Sequence, residues 1–469
     1  MIRLFKHYVP LPLFLMVITE AAVLFGSMYL GTKLRFLWEG PGGVESIIGP
    51  IFPRALVFTV TMLIIMTAFG LFQRDGRRKE GWAWEYPMRF ITSFMVGLVT
   101  MLLIFYAVPY LFLGRGAFAL VFLFAFTGSA LVRLVFVRLF KLGSMSRRVL
   151  LLGSGSRSAK IEELKRDEQG NRKFNLVGCL PLNNPEVGID QTRILHDKGS
   201  ILSIARKHRI DEIVVGVRER RGGGLPADQL LECKLAGIEV VDLPSFFERE
   251  TGQIRVESLN PSWMIFSDGF SRSQLKGVTK RAFDVVASGV LLLLTLPVML
   301  ITALLIWLEG GSPVFYSQER VGENGRVFKV LKFRSMRQDA ELDGVPQWAK
   351  KHDDRVTRVG RVIRLLRIDE LPQVFNVFKG DMSFVGPRPE RPYFVQELTR
   401  KIAYYPSRHT VKPGITGWAQ IRYPYGSTVE DAVQKLQYDL YYVKNHTLFL
   451  DLIILFQTAQ VVLFGKGAR

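Results

Sequence analysis

Residues 285–308 read VVASGVLLLLTLPVMLITALLIWL and contain no charged side chain. A straight helix of this length would extend about 36 Å, enough to cross a bilayer. Pro297, however, stands at its middle, where proline removes a hydrogen bond and kinks a helix. The sequence that follows is densely cationic up to Arg367, as is typical of cytoplasmic segments. We predict a re-entrant membrane helix over residues 284–308 that enters the bilayer, bends at Pro297 and returns; a fifth straight span is the alternative.

Four further apolar runs occupy the first third of the chain, and each approaches the roughly 20 residues that a spanning helix needs. They cover residues 11–30, 55–72, 91–113 and 117–137, with Glu20 and Arg133 as charges inside them. Lys and Arg concentrate before the first run, between the second and third, and after the fourth, which indicates that these segments are cytoplasmic. We predict four transmembrane helices in residues 1–147; the alternative is four buried helices of a soluble core.

Residues 148–270 alternate short apolar strands with polar helical stretches, which is typical of a parallel α/β layer. Strands are predicted at 149–152, 175–180, 212–217 and 237–242. The sequence GSGSRS at 153–158 follows the first strand and suits a phosphate at a helix N-terminus. We predict a Rossmann-like domain. Ser158 stands where the dinucleotide fingerprint has its third glycine, so a packing turn or a regulatory nucleotide site competes with NAD binding.

The composition limits the class of protein. The chain has 469 residues, of which 48% are hydrophobic, and 62 Lys and Arg against 42 Asp and Glu give a net charge of +20. This apolarity excludes a disordered chain, and two cysteines exclude a disulfide scaffold and a Cys-rich zinc site. Because the cations follow the membrane flanks and the acidic pair considered next, we predict lipid and phosphate ligands and no nucleic acid.

The acidic pair Asp369 and Glu370 lies in the segment IDELPQVFNVFKG, residues 368–380. Pro372 suits the first turn of a helix and Gly380 its C-terminal cap. We expect the helix dipole and nearby arginines to favour the ionised form of both carboxylates. An ionised aspartate here is a candidate nucleophile toward phosphorus, and the adjacent glutamate a candidate Mg²⁺ ligand. Taken alone, the segment is better explained by a helix N-cap with an acidic first turn.

Cations in neighbouring segments make a catalytic role for this acidic pair the better explanation. An arginine recurs every three residues from Arg355 to Arg367, and Arg364 is one of this series. The interleaved apolar residues predict a helix suited to a membrane surface or an anionic substrate; a solvated charged face is the alternative, above all for Arg355 and Arg358. By period two, Lys332 and Arg334 are predicted on one side of a strand over 328–336.

Two rigid Gly/Pro segments complete the candidate site. Pro387 stiffens one loop, and Arg388 within it is suited to clamping a phosphate with two hydrogen bonds. In the other segment, Trp418 or Gln420 is a candidate contact to a base or sugar. Such a set of cations around a carboxylate pair is typical of phosphoryl transfer, in which the site neutralises, positions and attacks in line.

From residue 280 onward, about 190 residues resemble the bacterial monotopic phosphoglycosyl transferases, which are polyprenyl-phosphate sugar-phosphate transferases. The N-terminal part resembles that of the long members of this family, which start exopolysaccharide, capsule or O-antigen repeat units. The matching motifs are Lys280-Arg281-x-x-Asp284, QERVG at 318–322, KFRSM at 332–336, DELPQ at 369–373, VGPRP at 385–389 and KPGITG at 412–417.

The resemblance implies a catalytic domain, mostly α, over residues 271–469, in which Asp369 attacks the sugar-bearing phosphate of a UDP-sugar and expels UMP. Undecaprenyl phosphate then attacks the covalent intermediate to give undecaprenyl-diphospho-sugar. It further implies that Glu370 binds Mg²⁺ and that Arg364 and Arg388 hold phosphates, supported by Lys332 and Arg334.

We further expect a homodimer in the bacterial inner membrane, in contact with its lipid and with the active site facing the cytoplasm. Two other functions stay open at this point. One is a membrane-tethered NAD-dependent sugar-modifying oxidoreductase based on residues 153–158. The other is a non-enzymatic scaffold that senses a nucleotide.

Overall fold

The computed structural model divides the chain into two compact units. One comprises Met1–Leu4 and Tyr8–Thr251, and the other comprises Phe5–His7 and Gly252–Arg469. The residues described are 2–4, 7–37, 49–72, 82–141, 147–153, 161, 174–181, 194–195, 199–216, 225–259, 264–265, 269–270, 274–337, 355–424, 426 and 428–464.

Long apolar helices dominate the N-terminal part of the first unit, after two short strands. The strands are β1 (Ile2–Leu4) and β2 (His7–Val9), and the helices are α1 (Leu11–Arg35), α2 (Ile51–Ala68), α3 (Trp82–Ala107) and α4 (Arg115–Lys141). Each helix contains a stretch long and apolar enough to cross a membrane. The four predicted spans are therefore confirmed as helices of spanning length, as expected of a membrane protein.

One ion pair lies inside this helical bundle. Arg133 Nε lies 2.6 Å from Glu20 Oε1, and both side chains are buried. Arg133 also donates to the carbonyl of Leu71 at 3.2 Å and to the hydroxyl of Tyr86. Charges among apolar helices are tolerated when they are paired in this way. The two charges inside the apolar runs therefore leave both helices uninterrupted.

A four-stranded parallel sheet follows the bundle. Its strands are β3 (Arg148–Leu152), β4 (Asn175–Leu180), β5 (Glu212–Val215) and β6 (Glu239–Asp242), in the order β4-β3-β5-β6, with helices α5 (Ile201–Lys207), α6 (Ala227–Leu235) and α7 (Leu243–Thr251). Leu150 and Leu151, which point to opposite faces, are both fully buried, so both faces are covered, as in most parallel sheets.

The predicted parallel layer is thus confirmed, with different ends for three strands. The first begins at Arg148 rather than at 149, the third ends at Val215 rather than at 217, and the fourth begins at Glu239 rather than at 237. Gly153 ends the first strand with φ 103°. The remainder of the predicted glycine turn, residues 154–158, lies outside the described residues, and the Rossmann-like assignment stays a prediction.

The second unit is mostly helical and contains two small sheets. Strands β7 and β8 form an antiparallel hairpin, and β9 pairs with β10 in parallel. Its elements are α8 (Gln274–Gly310), β7 (Phe315–Val321), β8 (Val327–Phe333), α9 (Arg358–Leu365), α10 (Gln373–Lys379), β9 (Ser383–Val385), α11 (Pro392–Lys401), β10 (Gly414–Thr416), α12 (Trp418–Arg422), α13 (Val429–Asn445) and α14 (Leu448–Phe464).

Helix α8 contains the charge-free apolar stretch over residues 285–308. It begins ten residues before the predicted start at 284 and continues through Pro297. Asp284 is buried before the proline and Ile306 after it, whereas Leu293 between them is 76% exposed. Both halves of the helix therefore pack on the same unit, while its middle presents an apolar surface. The re-entrant path through a membrane stays a prediction.

Candidate functional site

The predicted acidic pair lies in a 3₁₀ turn, Ile368–Glu370, between α9 and α10. Arg367 enters this turn with φ 59°, a left-handed conformation that is unfavourable for a residue with a side chain. Helix α10 begins directly after Pro372 and ends at Lys379, where Gly380 caps it with φ 102°. The predicted proline start and glycine cap are both confirmed, and they hold Asp369 and Glu370 at the N-terminal end of α10.

Two cations contact Glu370 directly. Lys332 Nζ lies 2.8 Å and Arg388 Nη2 lies 3.6 Å from the same carboxylate oxygen, Oε1. Burial alone would raise the pKa of Glu370, but the charges of Lys332, Arg388 and Arg367 and the hydrogen bond from Lys332 lower this pKa to about 2. Glu370 is therefore a carboxylate at any physiological pH, as the sequence predicted.

The expectation for Asp369 is wrong in its direction. Burial, together with the neighbouring negative charge of Glu370, raises the pKa of Asp369, although Lys332, Arg364 and Arg367 oppose the rise. Its Oδ1 is buried and accepts no hydrogen bond within the described part of the chain. The cost of burying two adjacent carboxylates thus outweighs the helix dipole and the arginines, which favour the ionised form.

The structure brings Lys332, Arg364 and Arg388 to the acidic pair, as predicted. Arg364 lies in the last turn of α9 and Lys332 near the end of β8. Strand β8 ends at Phe333, so the predicted alternation does not continue to Arg334. Arg334 Nη2 instead donates to the carbonyl of Gly311 at 2.8 Å, and its role as a substrate contact stays a prediction.

Backbone contacts between glycines fix the loop that contains Pro387 and Arg388. A Cβ on Gly386 would lie 2.2 Å from the carbonyl oxygen of Lys412, and a Cβ on Gly414 would lie 2.1 Å from the backbone nitrogen of Gly386. Only glycine fits at such distances. The glycines of the two rigid segments thus let β9 and β10 pair directly beside the loop.

Sequence reasoning missed the residues that hold these elements together. Asn376, in α10, donates Nδ2 to the carbonyl of Lys329 at 2.8 Å and accepts from the Leu331 backbone N–H at 3.0 Å. It therefore fixes α10 against β8, so that Lys332 meets Glu370. The sequence contains no signal for this contact, because Asn376 occupies an ordinary helical position and its partners lie on a separate strand.

The Lys280-Arg281-x-x-Asp284 motif has a similar positioning role. Arg281 donates to the carbonyls of Val377 and Phe378 at 2.7 and 2.6 Å, at the C-terminal end of α10. Asp284 accepts from Ser383 Oγ at 3.0 Å. These bonds join α8 to α10 and β9, so the apolar helix is attached directly to the elements that flank the acidic pair.

The structure contradicts the predicted contact of Trp418 to a base or sugar. Trp418 is 2% exposed, stacks on Tyr441 with ring centroids 5.8 Å apart, and donates Nε1 to the carbonyl of Gly252 at 2.8 Å. It is therefore a core residue and not an accessible contact to a base or sugar. Gln420, the other candidate, donates Nε2 to the Ile415 carbonyl at 3.3 Å.

Arg367 is a site residue that the sequence analysis left unassigned. Its charge acts on both Asp369 and Glu370, and its side chain is exposed. The only signal was its place as the last of the regularly spaced arginines. In the described ranges, no group of three or more His, Cys, Asp or Glu side chains is placed to hold a metal ion.

Comparisons with known proteins point to one family. A family model described as "Bacterial sugar transferase" matches residues 275–465. The chain is 43% identical over 261 residues to a UDP-N-acetylgalactosamine-undecaprenyl-phosphate N-acetylgalactosaminephosphotransferase of Aeromonas hydrophila, covering 56% of this chain and 61% of the relative. It is 35% identical over 330 residues to an undecaprenyl-phosphate glucose phosphotransferase of Komagataeibacter xylinus, covering 69% and 60%.

A shorter relative is matched almost throughout. An uncharacterized sugar transferase, EpsL, of Bacillus subtilis is 43% identical over 194 residues, which is 41% of this chain and 91% of the relative. The chain thus spans about 60% of the length of the two longer relatives. None of these names supports the NAD-dependent oxidoreductase or the non-enzymatic scaffold.

Proposed function

Because this chain belongs to the bacterial sugar transferase family, we propose that it transfers a sugar-1-phosphate from a UDP-sugar to undecaprenyl phosphate and releases UMP. The product would start an exopolysaccharide, capsule or O-antigen repeat unit. The observation that supports this function best is the cluster of cations beside the acidic pair. Lys332, Arg364 and Arg388 lie close to Asp369 and Glu370. Four cations near two carboxylates, counting Arg367, leave positive charge for a diphosphate.

The proposed reaction has two steps at one phosphorus. A carboxylate oxygen of Asp369 attacks the sugar-bearing phosphorus, the bond from that phosphorus to the oxygen bridging to UMP breaks, and UMP leaves with the electron pair. An oxygen of undecaprenyl phosphate then attacks the same phosphorus, and Asp369 leaves as a carboxylate. Covalent catalysis of this kind divides one difficult transfer into two easier ones.

The chemistry of Asp369 suits the nucleophile. Its Oδ1 is buried and accepts no hydrogen bond from any described residue, so no donor has to be displaced before attack. Burial and Glu370 raise its pKa, which increases the basicity of the carboxylate when it is ionised. Lys332, Arg364 and Arg367 oppose this rise and favour the ionised form that the attack requires.

Two adjacent carboxylates also suit Mg²⁺, which proteins commonly bind through one or two carboxylates and substrate phosphates. Both ion pairs of Glu370 use its Oε1. We propose that Glu370 holds the ion together with the donor diphosphate. When bound, Mg²⁺ would neutralise phosphate charge as a Lewis acid.

Contacts of α8 support the re-entrant path. Asp284 accepts from Ser383, while Glu309, at the other end of the helix, accepts from the backbone N–H groups of Arg358 and Val359 at 2.8 and 3.1 Å. Both ends thus contact the unit that contains the acidic pair. A straight crossing would separate ends 25 residues apart by about 37 Å, on opposite sides of a bilayer.

The membrane side of the site can be tested with single cysteines. Cys179 and Cys233 are buried, so an introduced surface cysteine dominates labelling. The proposal places Arg326, exposed in the hairpin, in the cytoplasm of the bacterial inner membrane, and Arg115, exposed at the start of α4, outside. An impermeant thiol reagent added to intact spheroplasts should label R115C and not R326C. Labelling of R326C from outside would contradict the orientation.

The names of the relatives indicate the class of sugar in the donor. The relatives act, by name, on N-acetylgalactosamine or glucose, so we propose a UDP-hexose or UDP-N-acetylhexosamine. Homodimer formation stays a prediction.

A burst experiment tests the proposed function. Full-length protein is mixed with each UDP-sugar of a panel, first without and then with undecaprenyl phosphate. The proposal predicts a burst of up to one UMP per protein without acceptor, and continuous release once acceptor is present. UMP release that starts only with acceptor would contradict the covalent step, and no release with any donor would contradict the function.

A further inference from the structure

The loop over residues 387–390, between β9 and α11, is held by its backbone oxygens. Each of its four consecutive carbonyls accepts a hydrogen bond from a different residue outside the loop. The pairs are Gly414 N to Pro387 O (3.0 Å), Arg408 Nη2 to Arg388 O (2.9 Å), Arg320 Nη1 to Pro389 O (3.2 Å) and Val321 N to Glu390 O (2.9 Å).

Of the two arginines among these donors, Arg408 is the more deeply buried. It is 5% exposed, and its Nε and Nη2 lie 3.0 and 2.8 Å from Oδ2 of Asp439, which is 2% exposed. Nη1 donates to the Tyr405 hydroxyl at 2.9 Å. A buried ion pair stabilises a protein only when its remaining donors are also satisfied. The Arg388 carbonyl completes the set, and the fork of an arginine is needed to reach all three acceptors.

Arg320 reaches the next carbonyl from the opposite direction. It lies on β7, in the hairpin whose other strand contains Lys332. Besides contacting Pro389, its Nη1 lies 3.7 Å from Glu390 Oε2 and its Nη2 donates to Gln318 Oε1 at 2.5 Å. The loop and the Lys332 hairpin are thereby joined, so two of the cations at the acidic pair have a common frame.

We propose that Arg408 and Arg320 are positioning residues for Arg388. They fix the backbone of the loop, so that the Arg388 guanidinium stays 3.6 Å from Glu370 Oε1 and meets the diphosphate of the donor. Neither is proposed to touch the substrate. The inference rests on the proposed function, since it names what holds one phosphate contact of that site.

This role predicts a particular kinetic change. A loose loop must be ordered when the donor binds, and ordering a segment on binding costs affinity. Asp369 is untouched by such a change. The KM for the UDP-sugar should therefore rise more than kcat falls, whereas general damage to the fold would reduce the amount of active enzyme.

The experiment compares three variants of the full-length protein. Arg320→Met removes the donor to Pro389 from a half-buried position, and Arg408→Lys keeps a charge for Asp439 without the fork. Arg400→Gln, exposed on α11, is the matched control. Hydrogen exchange at the amides of Gly414 and Val321, which donate to the loop carbonyls of Pro387 and Glu390, measures loop order. UMP release against UDP-sugar concentration measures KM and kcat.

We expect exchange at the loop to become about tenfold faster in Arg320→Met, the effect of one lost hydrogen bond, with a rise in KM of similar size and little change in kcat. Arg408→Lys should do the same, and Arg400→Gln neither. Unchanged exchange, or faster exchange with unchanged KM, would overturn the inference. If the wild-type protein released no UMP, the proposed function would fail, and exchange alone would then decide whether the two arginines hold the loop.

Discussion

Two clusters of carboxylates and cations differ in how completely they are paired. In the first unit, which contains the four-stranded sheet, Arg249 Nη2 lies 2.6 Å from Glu212 Oε1, and Arg147 lies 3.0 Å from Glu212 and 2.5 Å from Glu250. Both glutamate side chains are fully buried. The two buried acids and the two arginines thus balance at short distances, and the exposed Glu239 lies 3.4 Å from Arg249. Although Oε2 of Glu250 accepts no hydrogen bond among the described residues, no positive charge is left to attract an anionic ligand.

The cluster at the acidic pair is unbalanced by comparison. Glu370 has one close partner in Lys332 and a longer one in Arg388, and Oδ1 of Asp369 has no hydrogen-bond partner among the described residues. Arg364 and Arg367 add positive charge. The comparison shows that buried charge alone does not mark a site. An excess of cations beside an unsatisfied carboxylate does, because an anionic substrate would complete it.

Replacing the unsatisfied acid should give the largest effect on activity. Asp369→Asn should reduce UMP release by a factor on the order of 10⁵–10⁶, as expected for loss of a nucleophile. Because burial raises the pKa of Asp369, its ionised form is a cost to the folded state at neutral pH, and the neutral amide should leave the thermal midpoint unchanged or higher. Activity assays and thermal unfolding, with exposed Asp228→Asn as the control, test both statements. A variant that retains turnover would contradict the role of Asp369.

Replacing an acid of the balanced cluster, which comprises Glu212, Glu250, Arg147 and Arg249, should have the opposite consequence. The stability of the fold should fall, and the activity should not. Burial raises the pKa of Glu212 as well, but Glu212, unlike Asp369, is in direct contact with two arginines. Glu212→Gln leaves Arg249 and Arg147 without their shared carboxylate, and breaking such a buried pair costs about 3–5 kcal/mol. We expect a lower midpoint of unfolding for the first unit, with the activity per folded molecule retained. A stable Glu212→Gln protein would show that the balanced cluster is not the structural element that its geometry indicates.

The acidic pair Asp369 and Glu370 also shows what the sequence could and could not predict. The strands, the apolar helices, the proline start and the glycine cap follow from local patterns and are confirmed. The low pKa of Glu370 followed from neighbouring cations, but the raised pKa of Asp369 did not. Burial depends on which elements pack over a residue, and no local pattern contains that information.

Long-range contacts explain the other differences. Arg408 lies 20 residues after the carbonyl of Arg388 that it holds, and Arg281 lies 96 residues before its acceptor Val377. The sequence offers arginines at these positions without indicating that they bind backbone oxygens rather than phosphates. The predicted role of Trp418 was wrong for the same reason. From the sequence, an aromatic residue in a rigid loop is as suited to packing in a core as to stacking on a base.

The smallest expected effects separate two arginines of one helix. Arg364→Gln removes a charge that lowers the pKa of Asp369, so this pKa should rise and the acidic limb of UMP release should move to higher pH. The rate at neutral pH should fall by about 10²-fold, as for loss of one transition-state contact. The exposed Arg361→Gln should change the rate by no more than about twofold. An equal loss in both variants would indicate a general effect of helix charge.

The covalent step can be observed directly by mass spectrometry of the full-length protein. The protein is incubated with the UDP-sugar that gives a UMP burst, without undecaprenyl phosphate, then quenched and digested. The account predicts a peptide containing Asp369 whose mass is increased by one sugar phosphate, and loss of that adduct when acceptor is added before quenching. UMP release with no adduct, or with the adduct on another residue, would contradict it.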